Sequence, residues 1–205
     1  MKKEYILGIL FFSGLWGISE AVLGDALYSA NVPYASVPLT IIGFVIMAVA
    51  HVYFPHTGTA TLIAACAMLY KFLNVPFFFC HLLGILMMGM CYDLFFSVLK
   101  IKSRSLSAAA AVYLNYLLFA LMITYIFRYE HWVQAGFAGM LRHVLISGSM
   151  AALGCAVLVP VSFRLGRQIK ANYSGPFNLK LKFVPGGVLA VTIGLWIFSI
   201  ITFIV

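Results

Sequence analysis

Long apolar runs, separated by short polar or proline-containing stretches, make up most of the chain. A helix needs about 20 apolar residues to cross the hydrocarbon core of a bilayer, so we interpret each run as a transmembrane helix. Suitable runs lie at residues 5–23, 38–54, 58–74, 76–99, 106–127, 141–163 and 184–205. Pro55 and Pro76 make two connections very tight, so bundles of six or eight spans remain alternatives to seven.

The composition agrees with a membrane environment. The chain has 205 residues, of which 64% are hydrophobic and only 9% are charged. A soluble domain would carry about 25% charged residues, so we expect most of the outer face to meet lipid. No polar stretch is long enough to bury a second core, and the first run is too long, without a clear cleavage site, for a removable signal peptide. We therefore predict an all-α polytopic transmembrane bundle that forms one integral membrane domain over residues 1–205.

The formal net charge of +8 is distributed unevenly along this topology. With seven spans and the amino terminus inside, the inner loops hold most of the Lys and Arg residues, which is the usual bias of membrane proteins. We predict an inner-membrane protein with a cytoplasmic amino terminus, and we interpret the basic charge as a topology signal rather than as a nucleic-acid-binding surface. The inner set is Lys2, Lys3, Lys100, Lys102, Arg104, Arg164, Arg167, Lys170, Lys180 and Lys182, and the outer set is Lys71, Arg128 and Arg142.

A group of polar residues falls near the predicted outer ends of the helices. Ionisable side chains within spans are costly unless they face a partner or water, so they mark candidate sites. Trp16 lies one helical turn below Glu20, and Glu20 and Lys71 offer opposite charges. A structural ion pair of Glu20 with Lys71 or Arg142 is the alternative interpretation. We predict a substrate-binding set of Trp16, Glu20, Tyr34, Lys71, Asn74, His81, Arg142 and His143, with Asp25 in the same belt and Tyr28, Tyr70 and Phe77, Phe78 and Phe79 as aromatic neighbours.

A second group, His51, His56 and Asp93, lies toward the inner face. The two histidines are five residues apart across Pro55, which does not fit metal ligands on one helix face, so we predict no metal site. We expect Asp93 to pair with a basic residue of the loop that holds Lys100, Lys102 and Arg104.

Motifs of enzymes are missing from the sequence. It contains no GxSxG, HExxH or GxxxxGK[ST] motif, so we predict a protein without cofactor that is not an enzyme. His143 and Ser147 are one helical turn apart, which keeps an intramembrane enzyme as an alternative.

Ser13, Gly17 and Ala21 form a stripe of small residues along the first run, where another helix can approach closely. With this stripe, its size and its outer polar groups, the chain resembles the substrate-binding S components of energy-coupling factor (ECF) transporters. The resemblance implies uptake of a small water-soluble nutrient, a vitamin or precursor. It also implies that the stripe contacts a transmembrane coupling subunit, with separate ATPase subunits. S components usually have six spans and alanines in the stripe, and this chain departs from both features. A stand-alone ion-coupled or proton-coupled transporter is the other alternative.

Overall fold

In the computed structural model, the described residues are 3–72, 79–173 and 184–204, and they contain helices and no strand. Within these ranges, π-helical turns at Leu94–Val98 and Met122–Ile126 extend the fourth and fifth helices, and His143–Ser147 joins the sixth to the seventh. The helices are α1 Lys3–Ser29, α2 Ser36–Tyr53, α3 Thr59–Phe72, α4 Phe79–Asp93, α5 Arg104–Leu121, α6 Glu130–Arg142, α7 Gly148–Tyr173 and α8 Val184–Ile204.

The helices have the lengths and surfaces of a membrane bundle. Five helical segments of the described chain are long and apolar enough to cross a bilayer: Tyr5–Ser29, Ser36–Tyr53, Cys80–Val98, Arg104–Ile126 and Glu130–Asn172. Large apolar side chains on α5 and α7 point outward, and Leu106, Leu153 and Val157 are 58%, 71% and 65% exposed. A soluble protein rarely exposes so many large apolar side chains together. The prediction of an all-helical membrane bundle is confirmed in this form.

Six of the helices form a closed ring in the order α1, α2, α7, α5, α4 and α3, and α8 packs outside the ring against α1 and α3. Most neighbours run antiparallel, but α1 is parallel to α3 and α2 is parallel to α7. Near the amino terminus, the Tyr5 hydroxyl is hydrogen-bonded to Thr59 Oγ1 at the start of α3 (3.0 Å). At the opposite end, the Tyr28 ring near the end of α1 stacks on His81 of α4. The ring therefore has an amino-terminal end and a distal end.

Close helix contacts fill the middle of the ring. The Trp16 ring is fully buried against α2, where a Cβ on Gly43 would lie 2.8 Å from it. A Cβ on Gly89 would lie 2.7 Å from the backbone oxygen of Ala60, so α3 and α4 meet almost backbone to backbone. Close packing of this kind holds helices together where lipid offers no hydrophobic driving force.

The amino-terminal end is held by satisfied polar groups. Asp93 at the end of α4 accepts hydrogen bonds from the Thr61 backbone N–H (2.8 Å), the Thr61 hydroxyl (2.7 Å) and the Ser97 hydroxyl (3.1 Å). Thr61 lies in the first turn of α3, whose N–H groups lack partners within the helix, so the carboxylate caps that helix. The expected pairing of Asp93 with a basic loop residue is wrong, because these closer donors satisfy the carboxylate. Between the neighbouring helices α7 and α2, the Lys170 ammonium donates to the Val52 carbonyl (2.8 Å).

The small-residue stripe of α1 packs within the chain. Ser13 is fully buried, and a Cβ on Gly17 would lie 2.4 Å from the Tyr70 ring of α3. On the neighbouring face of α1, the Trp196 indole of α8 donates to the Leu10 carbonyl (3.1 Å). The close approach that the stripe predicts is therefore made to α3, and docking of a separate subunit on it stays a prediction.

Candidate functional site

A cavity of about 560 Å³ lies at the distal end of the ring, enclosed by α1, α2, α4, α5 and α6. Small-molecule sites usually have volumes of about 300–1,000 Å³. Several lining side chains, such as Tyr34, are exposed, so the cavity is open at this end. The lining residues include Glu20, Tyr28, Tyr34, Ser36, Thr40, Cys80, His81, Asn115, Tyr116, Phe119, His131, Trp132, Arg142, His143 and Ser147.

Glu20 brings a carboxylate deep into the cavity. Its side chain is only 5% exposed, and the indole Nε1 of Trp16 donates to Glu20 Oε1 at 3.4 Å. Because α1 runs toward the distal end, Trp16 lies one turn below Glu20, as predicted from their spacing. The buried indole therefore holds one oxygen of the carboxylate from below.

Aromatic rings form two of the walls. The rings of Tyr28 and His81 are stacked, with centroids 4.9 Å apart and planes at 22°. In a second group of lining residues, the Trp132 indole meets the His143 imidazole edge to face at 4.9 Å and the Phe119 ring at 5.8 Å. Rings that are already packed against one another lose little freedom when a ligand arrives, so the walls are preorganised.

Two polar side chains of α5 line the cavity, and they differ in whether they have hydrogen-bond partners. The Tyr116 hydroxyl is hydrogen-bonded to Thr40 Oγ1 (3.3 Å) and Ser36 Oγ (3.4 Å) of α2. The neighbouring Asn115 is 5% exposed, and its Oδ1 has no hydrogen-bond partner among the described residues. A buried acceptor without a partner is unusual, and it distinguishes Asn115 from the satisfied hydroxyl beside it.

A short helical segment covers part of the opening. The backbone of α6 is not helical at Gly136 (φ 61°, ψ −164°), so residues 130–135 form a separate segment ahead of the helix that continues into α7. Such dihedral angles are essentially restricted to glycine. His131 and Trp132 of this segment line the cavity, and we call residues 130–135 the cover. The backbone therefore bends at Gly136, at one end of the cover.

Five of the predicted substrate-binding residues, Glu20, Tyr34, His81, Arg142 and His143, line this single cavity. Arg142 is exposed, so its guanidinium lies at the rim. Trp16 supports Glu20 from below. Asn74 and the side chain of Lys71 lie outside the described residues, so their roles and a Glu20–Lys71 pair stay predictions. Among the residues predicted to lie beside this set, Tyr28 lines the cavity, whereas Asp25 does not. Tyr70 packs on Trp196 instead. Phe77, Phe78 and the side chain of Phe79 lie outside the described part of the chain.

Sequence reasoning missed the contributions of α5 and of the cover. Asn115 is a single amide within the apolar run 106–127, and a polar residue inside a span is itself a signal of a site. Trp132 and His131 fall in a polar stretch between two runs, which apolar length alone does not identify as part of a site.

The inner group does not form a comparable site. His51 packs among aromatic rings, 5.7 Å from the Phe163 ring centroid and 6.0 Å from that of Tyr92, while Asp93 is engaged with Thr61. Among the described residues, no three His, Cys, Asp or Glu side chains lie together as metal ligands would.

These features define the chain as an all-helical membrane-type bundle with a small-molecule cavity open at one end. Comparison with known proteins does not assign the chain to a family, because no family model, no curated protein and no solved structure matches it.

Proposed function

We propose that this protein is a membrane-embedded substrate-binding subunit for the uptake of a small water-soluble nutrient, working with separate ATP-driven subunits. The observation that supports this best is the distal cavity, which combines a buried carboxylate, an amide and aromatic walls in a volume that suits a vitamin-sized molecule. The function extends the resemblance to S components of ECF transporters.

The proposed orientation places the cavity on the outer face of the inner membrane. Basic residues lie at the ends of helices on the amino-terminal side of the ring, and the positive-inside rule would place that side in the cytoplasm. Described members of this set are Lys3, Lys100, Lys102, Arg104, Arg164, Arg167 and Lys170. A nutrient arriving from outside would then meet the rim, with Tyr34 and Arg142, before it reaches Glu20.

Capture of the nutrient follows from the arrangement of the cavity. The ligand enters beside the cover, and polar groups on it replace water around Glu20 and Asn115. The aromatic walls then bury its apolar faces, and the Trp132 indole closes over it as the cover settles on its Gly136 hinge. Release toward the cytoplasm requires movement of the bundle, which the partner subunits drive.

Affinity purification in mild detergent tests the proposal, with mass spectrometry of both bound small molecules and co-purifying proteins. We expect a small molecule to co-purify with the unaltered chain and to be absent from the Glu20→Ala variant. Asp25→Ala is the matched control, because Asp25 is an exposed acid on the same helix that does not line the cavity. A protein that emerges empty and alone contradicts the proposal.

One observation favours a second candidate, a stand-alone transporter without coupling subunits. Here α8 already covers α1 and α3, fixed by the Trp196 bond to Leu10 and by a Tyr70 hydroxyl bond to the Leu195 carbonyl (3.0 Å). The face of α1 that a coupling subunit would approach is therefore partly occupied. Uptake by the purified chain alone in liposomes, without any ATPase, would favour this candidate.

A further inference from the structure

Asn115 is a polar side chain whose surroundings in the protein do not satisfy it. It is 95% buried on α5 and lines the cavity, yet its Oδ1 has no partner among the described residues. A buried polar atom without a partner destabilises a folded protein relative to an apolar residue of the same shape. A binding site accepts such a cost when the ligand supplies the missing partner. The amide is thus a candidate contact that is completed only on binding.

An amide recognises a particular pattern of donors and acceptors. It offers a carbonyl and an NH₂ group side by side, so it pairs best with a ligand edge that carries an N–H donor next to an acceptor. Amino-substituted nitrogen heterocycles present this edge, and Asn is the side chain that reads it on adenine. Glu20 adds a buried carboxylate, which also binds N–H donors.

The walls of the cavity suit a flat molecule. Two pairs of packed rings line the cavity, with Tyr28 stacked on His81 and Trp132 edge to face with His143. Proteins that hold a base outside a duplex stack it between such side chains while reading its edge with hydrogen bonds. A sugar or an aliphatic amino acid has no planar aromatic face that could stack on these rings.

From these three observations we infer that the ligand of the distal cavity is a planar nitrogen heterocycle bearing amino or ring N–H groups, whose polar edge binds Asn115 and Glu20. This inference rests on the proposed function and names the chemical class of its nutrient.

The test uses the full-length chain in lipid nanodiscs and equilibrium dialysis with four probes. Adenine is planar with N–H donors, quinoxaline is planar without them, and D-glucose and L-lysine are not planar. We expect adenine to bind at least tenfold more tightly than quinoxaline and the two non-planar probes not to bind. We expect Asn115→Leu to weaken the binding of adenine at least tenfold and to leave the binding of quinoxaline unchanged.

Thr124→Val is the matched control. Thr124 also has a buried hydroxyl without a partner among the described residues, but it does not line the cavity. Both substitutions remove an unsatisfied polar atom, so we expect both to leave the melting temperature unchanged or raised. Only Asn115→Leu should alter binding, which separates a ligand contact from a purely structural role.

Mass spectrometry of small molecules that co-purify with the chain completes the experiment. A planar amino heterocycle that is lost from Asn115→Leu supports the inference. A non-planar solute in the cavity, or equal binding of adenine to Asn115→Leu and to the unaltered chain, overturns the inference while the proposed uptake function stands. If none of the probes binds and no small molecule co-purifies, both the inferred ligand class and the proposed uptake function are wrong.

Discussion

Replacement of Gly17 by alanine decides what the small-residue stripe of α1 does. An added Cβ would lie 2.4 Å from Cγ and 2.7 Å from Cβ of Tyr70, distances that neither helix tolerates without moving. Tyr70 cannot easily give way, because it is fully buried and its hydroxyl is bonded to the Leu195 carbonyl of α8. The substitution therefore forces α1 and α3 apart and disturbs the packing of α8 against them.

The size of the effect follows from two opposing contributions. Overpacking of a close contact costs about 1–3 kcal/mol of unfolding free energy. Alanine in place of a mid-helix glycine returns about 1 kcal/mol through its higher helix propensity. Gly194→Ala on α8 is the matched control, because nothing lies within 4 Å of its added Cβ. We expect Gly17→Ala to be less stable than Gly194→Ala by about 1–3 kcal/mol, which is the packing contribution alone.

The assay is unfolding by sodium dodecyl sulfate in mixed micelles, combined with recovery of co-purifying proteins from native membranes. A lower unfolding free energy for Gly17→Ala than for Gly194→Ala supports packing within the chain. If the two variants are equally stable and Gly17→Ala alone loses a co-purifying membrane subunit, our reasoning is refuted. The stripe would then be a docking face, as the resemblance to S components implies.

Further predictions concern the cavity, the hinge and the amino-terminal end. Cys80 lines the cavity, so a membrane-impermeant maleimide should label it from outside, with loss of labelling in Cys80→Ser; labelling only from the cytoplasmic side would reverse the proposed orientation. Gly136→Ala should strain the cover by about 1–3 kcal/mol and speed ligand dissociation, measured by dilution kinetics, whereas an unchanged rate would show that the hinge does not gate the cavity. Asp93→Ala should lower the unfolding free energy by about 1–3 kcal/mol, because Thr61 loses its acceptor, while the dissociation constant of a cavity ligand stays unchanged.

The main helices could be predicted because apolar length is a direct consequence of bilayer thickness. Each predicted run overlaps a helix of the structure, although the first helix continues to Ser29 rather than ending at residue 23. Gly24 and Asp25 mark a drop in hydropathy, but the sequence has no helix-breaking proline before Pro33. Hydropathy therefore shows where a helix leaves the apolar region, but it does not show where the helix itself ends.

The candidate site could be predicted only where its residues share a helix or stand out by charge. Trp16 and Glu20 are four residues apart, so their contact follows from helical geometry. By contrast, Asn115 meets Glu20 around one cavity only because α5 closes the ring between α4 and α7, and no local pattern gives that order. The same holds for Trp132, whose position depends on the backbone break at Gly136.

Asp93 at the amino-terminal end and Asn115 at the distal end differ in how their polar atoms are paired, and the proposed uptake function would use this difference. At the amino-terminal end, Asp93 accepts hydrogen bonds within the protein and Lys170 donates to the Val52 carbonyl, although the buried Tyr92 hydroxyl has no partner among the described residues. At the distal end, Asn115 is left with an unsatisfied oxygen beside a cavity. A polar group without a partner costs stability in the empty protein, whereas the same group strengthens binding when a ligand pairs with it. Under the proposed function, a ligand that pairs with Asn115 would stabilise the cavity, while the hydrogen bonds of Asp93 and Lys170 hold the helices together at the other end.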